Sequence, residues 1–88
     1  MAPQVQTRGT TTNGEHPRLE PGARGLAVME LKRLLRRWYE QRGERLPRRM
    51  RGPVYGTSAV EAVKHFQQER GLKIDGIVDA ETWRALTQ

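Results

Sequence analysis

The chain contains no cysteine among its 88 residues. Disulfide bonds are therefore excluded, and so is thiolate chemistry, whether nucleophilic or metal-binding. Aromatic residues are also scarce, at 6% of the chain. A chain this short builds one small domain at most, because its core supplies only roughly 3–5 kcal/mol of stability.

Long apolar runs are absent as well. No stretch approaches the roughly 18 apolar residues that a transmembrane helix needs, so we expect no membrane partner. Residues 1–18 also lack the apolar run of a secretory signal peptide. That segment holds Pro, Gly, Asn and a Thr run without periodicity. It predicts a flexible or partner-bound N-terminal arm over 1–18, followed by a folded domain over 19–88.

Positive charge is concentrated in one segment. The net charge is +6, from 16 Lys and Arg against 10 Asp and Glu. Residues 32–51 hold nine of the cations and two of the acids, a local net charge of +7. Such density indicates an anionic partner, which could be nucleic acid, wall teichoic acid or an acidic protein subunit; a solvated surface is the alternative. The residues predicted to make this contact are Arg36, Arg37, Arg48, Arg49 and Arg51.

Three helices are predicted, which makes the fold class all-α. The first spans 26–41, with Lys32, Arg33, Arg36 and Arg37 turned away from its apolar stripe. The second runs from a Thr57 or Ser58 cap to about 70, and Asp79 caps the short third helix. The predicted core comprises Val28, Leu31, Leu35, Val60, Val63, Phe66, Leu72, Ile74, Trp83 and Leu86.

Two loops carry the remaining candidate residues. Asp75 and Gly76 form a turn in which the Asp75 carboxylate either accepts backbone N–H groups or contacts a ligand. Tyr55 precedes Gly56 in a loop, so it is the best candidate for an exposed aromatic side chain. The two histidines are far apart in sequence, and the acids lack a calcium-loop pattern. We therefore predict no catalytic residue, metal or cofactor.

The order of short motifs resembles the small peptidoglycan-binding domain family. The matching pairs are Phe66-Gln67, Gly71-Leu72, Asp75-Gly76, Thr82-Trp83 and Ala85-Leu86. Matches earlier in the chain extend the resemblance over 19–86. They are Leu19, Gly22, Gly25, Val28, Leu31, Leu35, Gly52, Tyr55-Gly56 and Ala62-Val63. Two departures stand out. Arg51 replaces the family's Asp, and one extra residue separates Gly52 from Tyr55.

The resemblance implies a three-helix bundle, here with an extended N-terminal arm, that binds bacterial cell-wall peptidoglycan without catalysis, as a targeting module. It implies a groove between the second and third helices, where ligand contacts would come from Tyr55, Gln67, Asp75 and Gly76. The chain would then be associated with the cell wall. The alternative is a phage virion component that reuses this fold, with its arm and basic face contacting neighbouring subunits or nucleic acid.

Overall fold

The structure, a computed structural model, describes residues 16–46, 50 and 52–88. The predicted contacts Arg48, Arg49 and Arg51 lie outside these residues, as does most of the predicted arm, at 1–15. The helices are α1 Leu26–Arg42, α2 Thr57–Glu69 and α3 Ala80–Thr87. Within the described residues, no helix is both long and apolar enough to cross a bilayer. The predicted all-α, three-helix fold is confirmed.

Helix α1 forms because apolar residues recur at helical spacing along one face. Val28, Leu31 and Leu35 are fully buried on that face. The helix ends at Arg42 and is capped by Gly43, whose φ of 69° is the left-handed conformation that glycine adopts without a Cβ penalty. The Gly43 N–H donates to the carbonyl of Glu40 at 3.0 Å. Helix α1 is one residue longer at its C-terminal end than the predicted 26–41.

Helix α2 begins without a side-chain cap. Its N-cap is Gly56 in an extended conformation, and no side chain caps the first turn. The predicted cap at Thr57 or Ser58 is therefore wrong, because both residues already lie inside the helix. Glycine is tolerated at this position at little cost relative to Ser or Thr.

Helix α3 begins as predicted, because the Asp79 carboxylate accepts a hydrogen bond from the Thr82 N–H at 3.1 Å. A helix of eight residues is marginal without tertiary packing. Trp83 supplies that packing, since it is 2% exposed. Its indole N–H donates to the Pro17 carbonyl at 2.8 Å, and its ring stacks on His16 at 4.1 Å. The packed domain thus begins within the segment that was predicted as the arm.

Two isolated antiparallel bridges connect the loops that flank the helices. Leu19 and Val78 exchange backbone hydrogen bonds of 2.9 Å in both directions. Arg24 pairs with Val54, and the Tyr55 N–H donates to the Ala23 carbonyl at 2.8 Å. The segment before α1 is thereby fixed against the loops that precede α2 and α3.

Six of the predicted core residues are buried: Val28, Leu31, Leu35, Val63, Phe66 and Trp83. Val60, Leu72 and Leu86 are partly buried and pack against them. The prediction for Ile74 is wrong, since it is 54% exposed. The Asp75 N–H bonds the Lys73 carbonyl at 3.2 Å, so Ile74 lies at the apex of a tight turn.

Candidate functional site

Gln67, near the end of α2, organises the turn before α3. Its side-chain oxygen accepts the backbone N–H groups of Asp75 and Gly76 at 3.2 and 3.0 Å. Its amide nitrogen donates to the Ile77 carbonyl at 3.0 Å and lies 3.2 Å from both Asp75 Oδ1 and Thr82 Oγ1. Gln67 is 1% exposed. One buried amide therefore connects α2, the turn and the first turn of α3.

Asp75 closes its own turn. Its Oδ1 accepts the Ile77 N–H at 2.9 Å, which confirms the backbone-capping interpretation of this carboxylate. That hydrogen bond is the main reason why the pKa of Asp75 lies below its ordinary value, and the Gln67 amide lowers the pKa further. The charged form of Asp75 is thus part of the folded turn.

Tyr55 is completely buried, so its interpretation as an exposed aromatic is wrong. Its hydroxyl donates to the Gly76 carbonyl, and its own carbonyl accepts the Gly22 N–H at 2.9 Å. Burial raises the pKa of the Tyr55 hydroxyl, and the negative charge of Asp75 raises it further. A single aromatic residue in a loop has no periodicity from which its burial could be inferred.

The four predicted ligand residues Tyr55, Gln67, Asp75 and Gly76 do lie together. However, they form an internal hydrogen-bond network rather than an open binding surface. The side chains of Tyr55 and Gln67 are directed into the domain and have no free surface to offer a ligand. Their predicted role in direct contact is corrected to a structural one, because their polar atoms satisfy backbone groups that burial would otherwise leave unpaired.

An open groove lies beside this network, and we call it the α2 groove. Its wall contains the first two turns of α2 and two loops rather than any part of α3, so it is a different groove from the one expected between α2 and α3. Val54 and Val60 give it an apolar surface, and the exposed side chains of Glu61 and Lys64 add charge. The groove is lined by Pro21, Gly22, Val54, Tyr55, Gly56, Thr57, Val60, Glu61 and Lys64.

The turn packs tightly against the α2 side of this groove at Gly76. A Cβ atom added there would lie 3.1 Å from Val60 Cγ1 and 3.2 Å from Lys64 Cε. The φ of Gly76 is +73°, a conformation that side chains disfavour. The turn therefore lies close to two of the groove's lining side chains and leaves no room for a side chain of its own at Gly76.

Lys32 lies inside the domain rather than in solvent, which corrects its predicted outward orientation. It is 6% exposed, and its ammonium group donates to the Gly52 carbonyl at 3.0 Å. Burial lowers its pKa, and the nearby charge of Arg36 lowers it further. Arg36 itself is exposed and donates to the Met50 carbonyl at 3.1 Å. These two cations attach the loop after α1 to the helix.

Further cations of α1 differ in their partners. Arg33 forms an ion pair with Glu30 at 2.8 Å, and Arg42 pairs with Glu44 and Glu69 at 3.1 Å each. Arg37 is exposed and lines a cleft between α1 and the ends of α2 and α3. The predicted contact residues Arg36 and Arg37 are thus both on the surface.

The described residues contain no group of three or more His, Cys, Asp or Glu placed to hold a metal ion. Both histidines make structural contacts. His16 stacks on Trp83, and His65 Nε2 lies 2.9 Å from a carboxylate oxygen of Glu44.

Comparison with known proteins supplies the family. A solved structure described as the crystal structure of SleB N-terminal domain is similar, with a TM-score of 0.68 and 27% sequence identity. The alignment covers 83% of this chain and 92% of that one. No curated protein sequence matches significantly. The family model of the peptidoglycan binding domain matches residues 24–86, a range that includes α1, α2, the Gln67 network and α3 except for its last residue, Thr87. On that match, the chain belongs to the peptidoglycan binding domain family.

Proposed function

We propose that this chain binds bacterial cell-wall peptidoglycan through the α2 groove and does not cleave it. The observation that carries the proposal is the position of the groove. The groove lies against the turn that Gln67 holds rigid. The family model that matches this chain describes a peptidoglycan binding domain. A rigid surface loses less conformational entropy when a ligand binds.

The chemistry of the α2 groove suits a ligand that combines sugar rings with short peptides. Val54 and Val60 offer apolar contact to the carbon faces of sugars and to methyl groups. Glu61 can accept hydrogen bonds from hydroxyl or amino groups, and Lys64 can donate to carbonyl or carboxylate oxygens. Gly22 and Gly56 leave backbone uncovered by side chains at the edge of the groove.

The proposed binding is weak and serves to concentrate an attached activity at the wall. An open groove of this size buries little surface, and the cost of association consumes much of the gain. A targeting module works under these conditions because it raises the effective concentration of whatever it is attached to. The proposal that the chain does not catalyse a reaction is supported by the family description, which is that of a binding domain.

The second candidate, a virion component, depends mainly on the arm and on Arg48, Arg49 and Arg51. Residues 1–15 and these three arginines lie outside the described residues. The family match supports wall association, which is the localisation that we propose.

Co-sedimentation with purified cell-wall sacculi tests the proposal. The test variant replaces Val54, Glu61 and Lys64 with alanine, and the matched control replaces exposed residues of the same kinds, Ile74, Glu81 and Lys73. We expect the parent and the control to pellet with the sacculi and the groove variant to bind about tenfold more weakly, equivalent to about 1.4 kcal/mol. Equal binding by the groove variant and the control would place the binding surface elsewhere.

A further inference from the structure

The net positive charge of the chain belongs to a single segment. Residues 32–51 carry nine cations and two acids, whereas the other residues carry seven cations and eight acids. The segment's net charge is therefore +7, and that of the rest is −1. The α2 groove lies outside this segment. Peptidoglycan binding in the groove therefore does not explain the positive charge of residues 32–51.

Nearby carboxylates do not pair with two exposed cations of α1, Arg36 and Arg37. Glu30 is paired with Arg33, and Glu44 is engaged by Arg42 and His65. Arg36 and Arg37 take part in no ion pair with the described residues. Like charges at this density repel one another, so an external anion would relieve the repulsion.

The positions of the exposed arginines define a surface that we call the basic surface, comprising Arg36, Arg37 and Arg70. Arg36 lies beside Met50, on the flank of α1 that carries the following loop. Arg37 lines the cleft on the other flank, and Arg70 at the end of α2 lines the same cleft. Arg70 donates to the neutral side chain of Gln88 at 3.1 Å rather than to a carboxylate. The basic surface thus runs across α1 and into the cleft.

The chemistry of these side chains indicates a phosphate ligand. A guanidinium group presents five N–H donors in a planar fork that matches phosphate oxygens. Arg36 uses one of its terminal nitrogens for the Met50 carbonyl, so further donors remain for an anion. Three guanidinium groups spread from α1 to the residue that caps α2 fit a polymer that repeats its negative charge better than they fit a single small anion.

Exposed aromatic side chains distinguish a surface that binds single-stranded nucleic acid from one that binds a phosphodiester polymer without bases. Proteins that bind single-stranded nucleic acid stack bases on exposed aromatic rings. Among the described residues, Tyr39, Tyr55, Phe66 and Trp83 are buried. Trp38 is half-buried and lines the same cleft as Arg37 and Arg70, where the Arg42 guanidinium lies 4.8 Å from the centre of its ring. The basic surface therefore offers contacts for a phosphate backbone, and the partly exposed ring of Trp38 is already engaged by Arg42.

We propose that the basic surface binds an anionic phosphodiester polymer of the bacterial cell wall, of the glycerol-phosphate or ribitol-phosphate type. The choice of a wall polymer over a nucleic acid rests on the proposed wall function, and the lack of a free aromatic ring on the described part of this surface further disfavours single-stranded nucleic acid. The basic surface and the α2 groove are lined by different residues. The two ligands can therefore be tested separately.

The test measures binding of the full chain to soluble poly(glycerol phosphate) over a range of salt concentrations. The variant Arg36→Gln/Arg37→Gln/Arg70→Gln removes three charges from the basic surface. The control Arg24→Gln/Lys73→Gln/Arg84→Gln removes three charges from exposed positions elsewhere. We expect the variant to bind at least about tenfold more weakly at low salt and to show a log–log salt slope smaller by about 2, because each phosphate contact of a flexible strand contributes about 0.7. The control should bind like the parent.

Three results would overturn the proposal. The first is an equal loss of affinity in the variant and the control, which would mean that only net charge matters. The second is equal affinity for poly-glutamate, which would remove the preference for phosphate. The third is tighter binding to double-stranded DNA than to poly(glycerol phosphate), which would make nucleic acid the partner. Thermal melting of both variants verifies that each remains folded.

Sacculi stripped of phosphate polymers separate this proposal from the proposed function. If the α2 groove binds peptidoglycan, the basic-surface variant should pellet with stripped sacculi as well as the parent does. Loss of polymer binding with retained sacculus binding supports two separate sites, whereas loss of both in this variant would contradict them.

Discussion

The side-chain oxygen of Gln67 accepts the backbone N–H of Gly76 at 3.0 Å, although the two residues are nine positions apart. The side-chain amide of Gln67 thus provides hydrogen-bond partners for backbone groups of a turn that no neighbouring strand pairs with in the described residues. A side chain that pairs with several buried backbone groups fixes one conformation, because any alternative leaves those groups without partners. The turn that this contact holds lies beside Val60 and Lys64 of the α2 groove.

Replacing Gln67 with alanine should lower the free energy of unfolding by about 3 kcal/mol or more, because several buried backbone groups of the turn lose their partner at once. Urea denaturation measures the change. The exposed neighbour Gln68 provides the control, and its replacement with alanine should cost less than about 0.5 kcal/mol. Equal effects at the two positions would refute the structural role of Gln67.

Gly76→Ala and Gly71→Ala form a second matched pair. Both glycines have similar positive φ values, +73° and +71°, so the backbone cost of alanine is similar. Only at Gly76 would the new Cβ approach other side chains, 3.1 Å from Val60 Cγ1 and 3.2 Å from Lys64 Cε. We expect Gly76→Ala to be more destabilising than Gly71→Ala by about 1 kcal/mol in urea denaturation, because overpacking costs about 1–3 kcal/mol. Equal destabilisation would show that the turn does not pack closely on α2.

Tyr55→Phe should lower the free energy of unfolding by about 1–2 kcal/mol. The change removes the hydroxyl that donates to the Gly76 carbonyl and leaves that buried carbonyl without this donor. Tyr39 is also buried, but no hydrogen bond of its hydroxyl is seen within the described residues. Tyr39→Phe should therefore change stability by less than about 0.5 kcal/mol. A larger loss from Tyr39→Phe than from Tyr55→Phe would contradict this assignment.

Stability should decrease in acid, partly through Asp75. The pKa of this carboxylate is lower in the folded chain than in the unfolded one, so the unfolded chain binds more protons as the pH falls. The stabilisation is present above the unfolded value of about 3.9 and is lost as the pH falls through the folded value. Glu30 and Glu44 also have lowered pKa values and contribute to the same decrease.

Asp75→Asn isolates this contribution, because an asparagine oxygen can still accept the Ile77 N–H but does not titrate. Urea denaturation at a series of pH values should show a smaller loss of stability below about pH 4 in the variant than in the parent. An unchanged acid dependence would mean that Asp75 titrates alike in the folded and unfolded chains.

Periodicity and local capping predicted most of the fold. The apolar stripe of α1 and the Asp79 cap depend on residues close in sequence, so a single chain is sufficient to infer them. The Asp75 turn is local in the same way. The burial of Tyr55 depends on contacts with Gly22 and Gly76, 33 and 21 positions away, and no local pattern encodes those.

Gln67 could have been recognised as a core residue from its position. It follows Val63 by four residues and Phe66 by one, so it lies on the inward face of α2. A polar residue at such a position indicates a buried hydrogen-bond network. Lys32 is different, because its burial depends on the Gly52 carbonyl, 20 residues further along the chain.

Nuclear magnetic resonance titration of the labelled chain with soluble peptidoglycan fragments tests the central claim most directly. The account predicts that amide shifts concentrate at Gly22, Val54, Gly56, Val60 and Lys64, while the outer face of α1 around Arg37 changes little. Fragments that cause no shifts at saturating concentration, or shifts confined to α1, would contradict peptidoglycan binding in the α2 groove.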